Sequence, residues 1–117
     1  MKENVLRDKS FVFAVRVVRV FQHLQETRRE FVLSKQLLRA GTAVGAMARE
    51  AEHAESKKDF VHKLAIAQKE INETCYWLDL LAATDYLTAT EATSLQRDAT
   101  ELLKILTSSL KTAKATL

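Results

Sequence analysis

The stretch RAGTAVGAMAREA, Arg39 to Ala51, holds both glycines of the 117-residue chain, four positions apart. A phosphate-cradling loop needs a strand before it and a Lys-Ser/Thr pair after its last glycine, and GTAVGAMA has neither. Helical patterning instead runs straight through, with Leu37, Ala40, Val44, Met47 and Ala51 on one side. Gly41, Gly45 and Ala48 therefore line one face of a helix with almost no side chain. Each glycine costs roughly 1 kcal/mol against alanine inside a helix. Close approach of a second helix is what usually offsets that cost. Folding the chain back at residues 55–56 sets residue 45 opposite 66 and residue 39 opposite 72. Gly45 is thus expected to admit Ile66 or a neighbouring subunit.

The rest of the chain follows the same period. Proline is absent, 47% of residues are hydrophobic, and the turn residues an all-β fold requires are missing. In FVFAVRVVRVFQHL, Arg16, Arg19, His23 and Glu26 form one polar stripe. Phe11, Ala14, Val18 and Phe21 make one apolar line, and Phe13, Val17, Val20 and Leu24 another. A bundle core uses one such face, so the surplus predicts an oligomer contact. ETRRE at 26–30 makes the first turn. Ser56 with Asp59, and Thr88 with Glu91, carry the spacing of capping boxes and set two helix starts. The expected fold is a single all-α domain, an antiparallel up-down-up-down four-helix bundle with helices at about 9–26, 31–54, 57–83 and 89–114.

The single cysteine, Cys75, excludes an internal disulfide and fits a reducing, cytoplasmic location. It sits in an apolar helix pattern that suits a buried thiol better than a nucleophile. No run approaches the roughly 18 apolar residues of a membrane span, and MKENVLRDKS lacks the apolar centre of a signal peptide. Glu50-x-x-His53 and Asp59-x-x-His62 have di-iron spacing. They flank a turn, and the fourth helix has no acid after Glu101 to complete a ligand set, so no metal, cofactor or enzyme chemistry is expected.

QLLRAGTAVGAMAREA followed by SKKDFVHKLAIAQKEINETCYWLDLL resembles a bacterial four-helix bundle family. That family is named for proteins encoded in intervening sequences of large-subunit ribosomal RNA genes. It also includes the accessory variability determinant of diversity-generating retroelements. The similarity is carried by Gln36-Leu37, Arg39, Gly41-Thr42, Gly45-Ala46 and Glu50-Ala51, then by Ser56 to Phe60 and Tyr76-Trp77-Leu78. Ala43 and Met47 depart from the Ser and Asn usual there, which puts any polar contact made by that pair in doubt. The resemblance implies a homo-oligomer, a pentameric barrel of bundles, without known enzyme chemistry. In the retroelement members it implies a basic partner of nucleic acid and of a reverse transcriptase.

Charge points the same way. Residues 1–49 carry ten Lys/Arg against four Asp/Glu, net +6, and residues 50–101 carry five against eleven, net −6. Such polarity suits an anionic partner or head-to-tail self-association. The candidate contacts with RNA or DNA phosphate are Arg16, Arg19, Arg28, Arg29, Lys57 and Lys58. No base-reading motif accompanies them. Arg39 with Glu70 or Glu73 is expected to form an inter-helical ion pair. Trp77 joins the glycine face as a candidate packing or subunit contact. A pure protein–protein adaptor, with charge serving assembly alone, is the competing expectation.

Overall fold

The structure is a computed structural model that describes residues 2–117, and their side chains from Val5 onward. Four helices follow one another: α1 Lys2–Glu26, α2 Leu33–Glu52, α3 Lys57–Ala83 and α4 Ala89–Lys114. α1 packs on α2 and α4, and α3 on α2 and α4. That is an antiparallel four-helix square, drawn out to 47 × 21 × 19 Å. α3 and α4 keep the boundaries predicted for them. α1 begins well before residue 9, because polar residues in its first turns still place Leu6 in the core. α2 is shorter than predicted at both ends, giving way to turns at residues 27–32 and 53–56.

The core forms where the apolar stripes of all four helices meet. Phe13, Val17 and Leu24 of α1 join Leu37 and Val44 of α2, Leu64, Ile71, Leu78 and Leu81 of α3, and Leu95, Leu102 and Leu106 of α4, each at most 2% exposed. Met47, at one of the two departures from the family pattern, packs against this core.

Local chemistry fixes the helix ends. The Ser56 hydroxyl accepts from the Asp59 amide at 3.0 Å, and Thr88 and Glu91 form a reciprocal capping box at 3.1 and 2.8 Å. α3 closes on Asp85 in the left-handed region, φ 65°. There the Tyr86 amide donates to the Leu81 carbonyl and the Asp85 amide to Ala82, a Schellman arrangement.

α2 starts differently. Its N-cap residue is Val32, which has no side chain able to cap. The Glu30 carboxylate reaches in instead and accepts from the amides of Val32, Leu33 and Ser34 at 3.1, 2.9 and 2.7 Å. The Ser34 hydroxyl returns a bond to the Glu30 carbonyl at 2.9 Å. One side chain thus satisfies three of the four orphan donors of the helix.

The glycines face α1, which corrects the expected pairing with Ile66 on α3. A Cβ at Gly41 would stand 2.8 and 2.9 Å from the two methyl carbons of Val17. One at Gly45 would meet Ser10 at 3.4 to 3.6 Å. Counting residues around the α2–α3 turn identified the wrong neighbour, because α2 has two flanking helices and the small face points to the earlier one.

Candidate nucleic-acid interface

Of the six cations singled out from the sequence, Arg16 and Arg19 lie along α1 and the other four lie at the two ends of the bundle. Arg28 and Arg29 occupy the α1–α2 turn, beside the α3–α4 turn. Lys57 and Lys58 open α3 at the opposite end, together with the last turn of α4, where Lys111 and Lys114 lie.

Arg16 is occupied within the chain. Its guanidinium holds Asp98 at 2.6 Å and the Ser94 hydroxyl at 2.9 Å, which ties α1 to α4. Arg19 is exposed and reaches only Gln22, at 3.4 Å. It lines a groove between α1 and α4 with Arg16, His23 and Glu91. Lys57 donates to the Thr116 hydroxyl, and Lys58 is exposed. Among the described residues, Arg19, Arg28, Arg29, Lys57 and Lys58 have no carboxylate partner.

The two turn arginines lie against aromatic rings. Arg28 sits 4.8 Å from the Tyr86 ring centre and donates to the carbonyls of Asp85 and Tyr86 at 2.9 and 3.2 Å. Arg29, with φ 56°, lies 5.4 Å from the ring centre of Phe31. Phe31 and Val32 stay 44% and 70% exposed. This apolar pair was not singled out from the sequence, where it reads as the first turn of a helix.

Two of the acids near this end accept from backbone amides. Burial pushes the Glu30 carboxyl up, yet three backbone amides outweigh it and leave the group below its ordinary value. Glu91 is lowered chiefly by the Thr88 amide, against some burial, and the charges of His23 and Arg28 add to the lowering. Glu26 and Asp85 are the other nearby carboxylates, and both are exposed.

On the α2–α3 seam, Arg39 bridges Glu70 at 3.3 Å and also pairs with Glu73. The Trp77 indole donates to Glu73 at 2.9 Å and is the main cause holding that carboxyl below its ordinary range, with Arg39 adding to it. Trp77 is half-buried and meets the exposed Tyr76 edge-on at 5.0 Å. Ala48 is buried in the core. Elsewhere, Glu50 pairs with Lys63 at 3.0 Å, while His53 and His62 face solvent. The Asp59 carboxylate accepts from the Glu55 amide at 3.3 Å instead of from Ser56, so the capping box expected there is only half made. No group of three His, Cys, Asp or Glu side chains gathers among the described residues. Burial raises the Cys75 thiol. No helix of the described residues is long and apolar enough to cross a membrane.

Comparison with known proteins gives this geometry a context. The family model described as 23S rRNA-intervening sequence protein matches residues 2–108. A crystal structure of a protein of unknown function from the S23 ribosomal protein family of Bacteroides thetaiotaomicron VPI-5482 is 52% identical. It superposes with a TM-score of 0.94, covering 95% of this chain and 99% of that one. No curated protein matches significantly. With the family pattern running from the first helix into the fourth, the chain belongs to the 23S rRNA-intervening sequence protein family.

Proposed function

We propose that this protein is a non-enzymatic, homo-oligomeric scaffold that contacts RNA or DNA through phosphate in the cytoplasm. The observation that carries the reading is the state of the candidate cations. Five of the six have no carboxylate partner among the described residues, while Glu30 and Glu91 are spent on backbone amides. Exposed cations that no carboxylate pairs attract phosphate and release its condensed counterions. Copies arranged in a ring would repeat each cluster and raise the local density of positive charge.

Filter binding across a salt series tests this directly. Affinity should fall steeply as salt rises, and Arg19→Gln or Lys58→Gln should each flatten the log–log slope by about one. Arg16→Gln should leave that slope alone, since its charge is already met by Asp98. Undetectable binding at low salt, or affinity indifferent to salt, would remove the nucleic-acid role.

A second reading rests on a different surface. Phe11, Val12 and Val15 stand 54%, 59% and 42% exposed on the outer side of α1. Phe11 belongs to an apolar line read from the sequence, whose other members Ala14, Val18 and Phe21 are half-buried, whereas Val12 and Val15 were not singled out there. Soluble proteins seldom leave such a group uncovered. In the first reading, another copy covers it. An adaptor would present it to a different protein, such as a reverse transcriptase, and use its charge for assembly alone. The net +6 of residues 1–49 and the net −6 of residues 50–101 favour another copy, because oppositely charged segments complement one another head to tail. Light scattering should therefore return a multiple of the 13.2 kDa subunit mass, and Val12→Glu should reduce it. A monodisperse single subunit at micromolar concentration would sink the oligomer.

A further inference from the structure

We infer that the α1–α2 turn is a stacking site for single-stranded nucleic acid, in which Phe31 receives an unpaired base while Arg29 and its neighbours hold the adjoining phosphates. This rests on the phosphate-contacting role proposed above and narrows it to one end of the bundle and one form of ligand.

Three independent features coincide at this end. The first is an aromatic ring left open: Phe31 is 44% exposed and followed by Val32 at 70%. Core formation does not require either exposure, since α2 places its apolar stripe inward from Leu37 onward. The second is cationic charge that forms no close ion pair. Arg28, Arg29 and the exposed Lys35 have no carboxylate partner among the described residues. The nearest acid in sequence, Glu30, is turned inward onto three amides.

The third feature is the backbone. Arg29 occupies the left-handed region at φ 56°, which glycine or asparagine would occupy at less cost. That conformation separates the two adjacent arginines. Arg28 goes to Tyr86 and the α3–α4 turn, and Arg29 goes to Phe31. Strain of this kind persists where the surroundings impose it, and it gathers at binding positions.

An arginine beside an exposed ring, with further cations around it, is how single strands are gripped without sequence readout. Every base has a π-face, and every linkage has a charge. Duplex bases are already stacked and hide those faces, so a duplex could use the cations but not the ring. The ring therefore separates the two ligands, and the cations do not.

The test measures anisotropy of a labelled short oligouridylate and of a labelled duplex of equal length on the intact protein. The single strand should bind more tightly. Phe31→Ala should lower single-strand affinity about tenfold, leaving duplex affinity and the salt slope unchanged, while Phe31→Tyr should retain the preference. Because Phe31 is half-exposed, its replacement should leave the far-ultraviolet dichroism intact, and that is recorded alongside. Arg29→Gly, which relieves the left-handed backbone, should weaken the single strand severalfold without lowering the melting temperature. Equal binding of both ligands, with Phe31→Ala silent, would overturn the stacking site and leave the phosphate role standing. Parallel losses for both ligands would also overturn it. Failure of both ligands to bind at low salt would overturn the two together. Phe31-dependent capture of an oligoglutamate in place of either nucleic acid would assign this end to an acidic protein partner instead.

Discussion

Glu30→Ala should destabilise the protein by about 2–4 kcal/mol, among the largest effects available at a residue outside the apolar core. Glu30 is only 8% exposed, and its carboxylate accepts from three successive amides at the start of α2. Hydrogen bonds to an ionised acceptor contribute more than neutral ones, and truncation leaves the donors without a replacement side chain. Ser34 suffers most: it is fully buried, and its amide makes the shortest of the three bonds. For a domain of this size the change corresponds to a fall of roughly 8–15 °C in melting temperature, read by dichroism. Amide exchange at residues 32–34 should quicken before any global unfolding. Glu30→Gln should lie between, because one amide oxygen can still accept. A variant melting within a degree or two of the parent would show that water caps the helix equally well.

The same carboxylate gives stability a pH dependence of known sign. Glu30 titrates below its ordinary value near 4.5, since burial is outweighed by the amides it accepts from. A group lowered on folding binds fewer protons in the native state than in the unfolded one. Its stabilisation is complete above the unfolded value and drains away as pH falls through the folded value. Glu91 and Glu73 are lowered too, the first by its cap and the second chiefly by Trp77. Stability should therefore decline below about pH 4.5, and less steeply in Glu30→Ala, which has one such group fewer.

Glu30 also marks where the sequence stops being readable. The caps of α3 and α4 are legible because Ser56 and Thr88 stand three residues before an acid, the spacing a capping box needs. At α2 the cap position holds Val32, and a glutamate two residues earlier curls back over the first turn. That arrangement depends on the turn, including the left-handed Arg29, and no local pattern announces it. The exposure of Phe31 has the same origin. Its ring belongs to the turn, whereas a period of 3.6 extended backwards assigns it to a helix. Arg39, Glu70 and Glu73 were placed at matching depth because their separation follows from counting along two antiparallel rods. Arg16 could not be so placed: its partners Ser94 and Asp98 lie about eighty positions away, across the one seam that no short turn defines. Periodicity shows which face of α2 is small, and only the assembled square shows which neighbour uses it.

Gly41→Leu turns that last point into the second large prediction. A Cβ at Gly41 would lie 2.8 and 2.9 Å from the methyls of Val17, inside the limit at which real carbons meet. Val17 is fully buried and ringed by core residues, so it has little room to retreat. Leucine adds three further carbons beyond that clash. Overpacking of this kind costs about 3 kcal/mol or more, well above the roughly 1 kcal/mol that replacing a helical glycine gives back. Gly45→Ala should behave in the opposite sense. Its nearest neighbour stands 3.4 Å away, and Gly45 lies at the open edge of a groove with Thr42 and Ala46. The added methyl fits there, and the helix gains up to about 1 kcal/mol. Urea unfolding of the two variants should thus move in opposite directions from the parent midpoint. Pairing Gly41→Ala with Val17→Ala isolates the cause. If the two methyls are the obstacle, the double variant should be more stable than the sum of the single losses predicts. Strict additivity, or an unmoved midpoint for Gly41→Leu, would mean that α1 and α2 do not meet through this glycine.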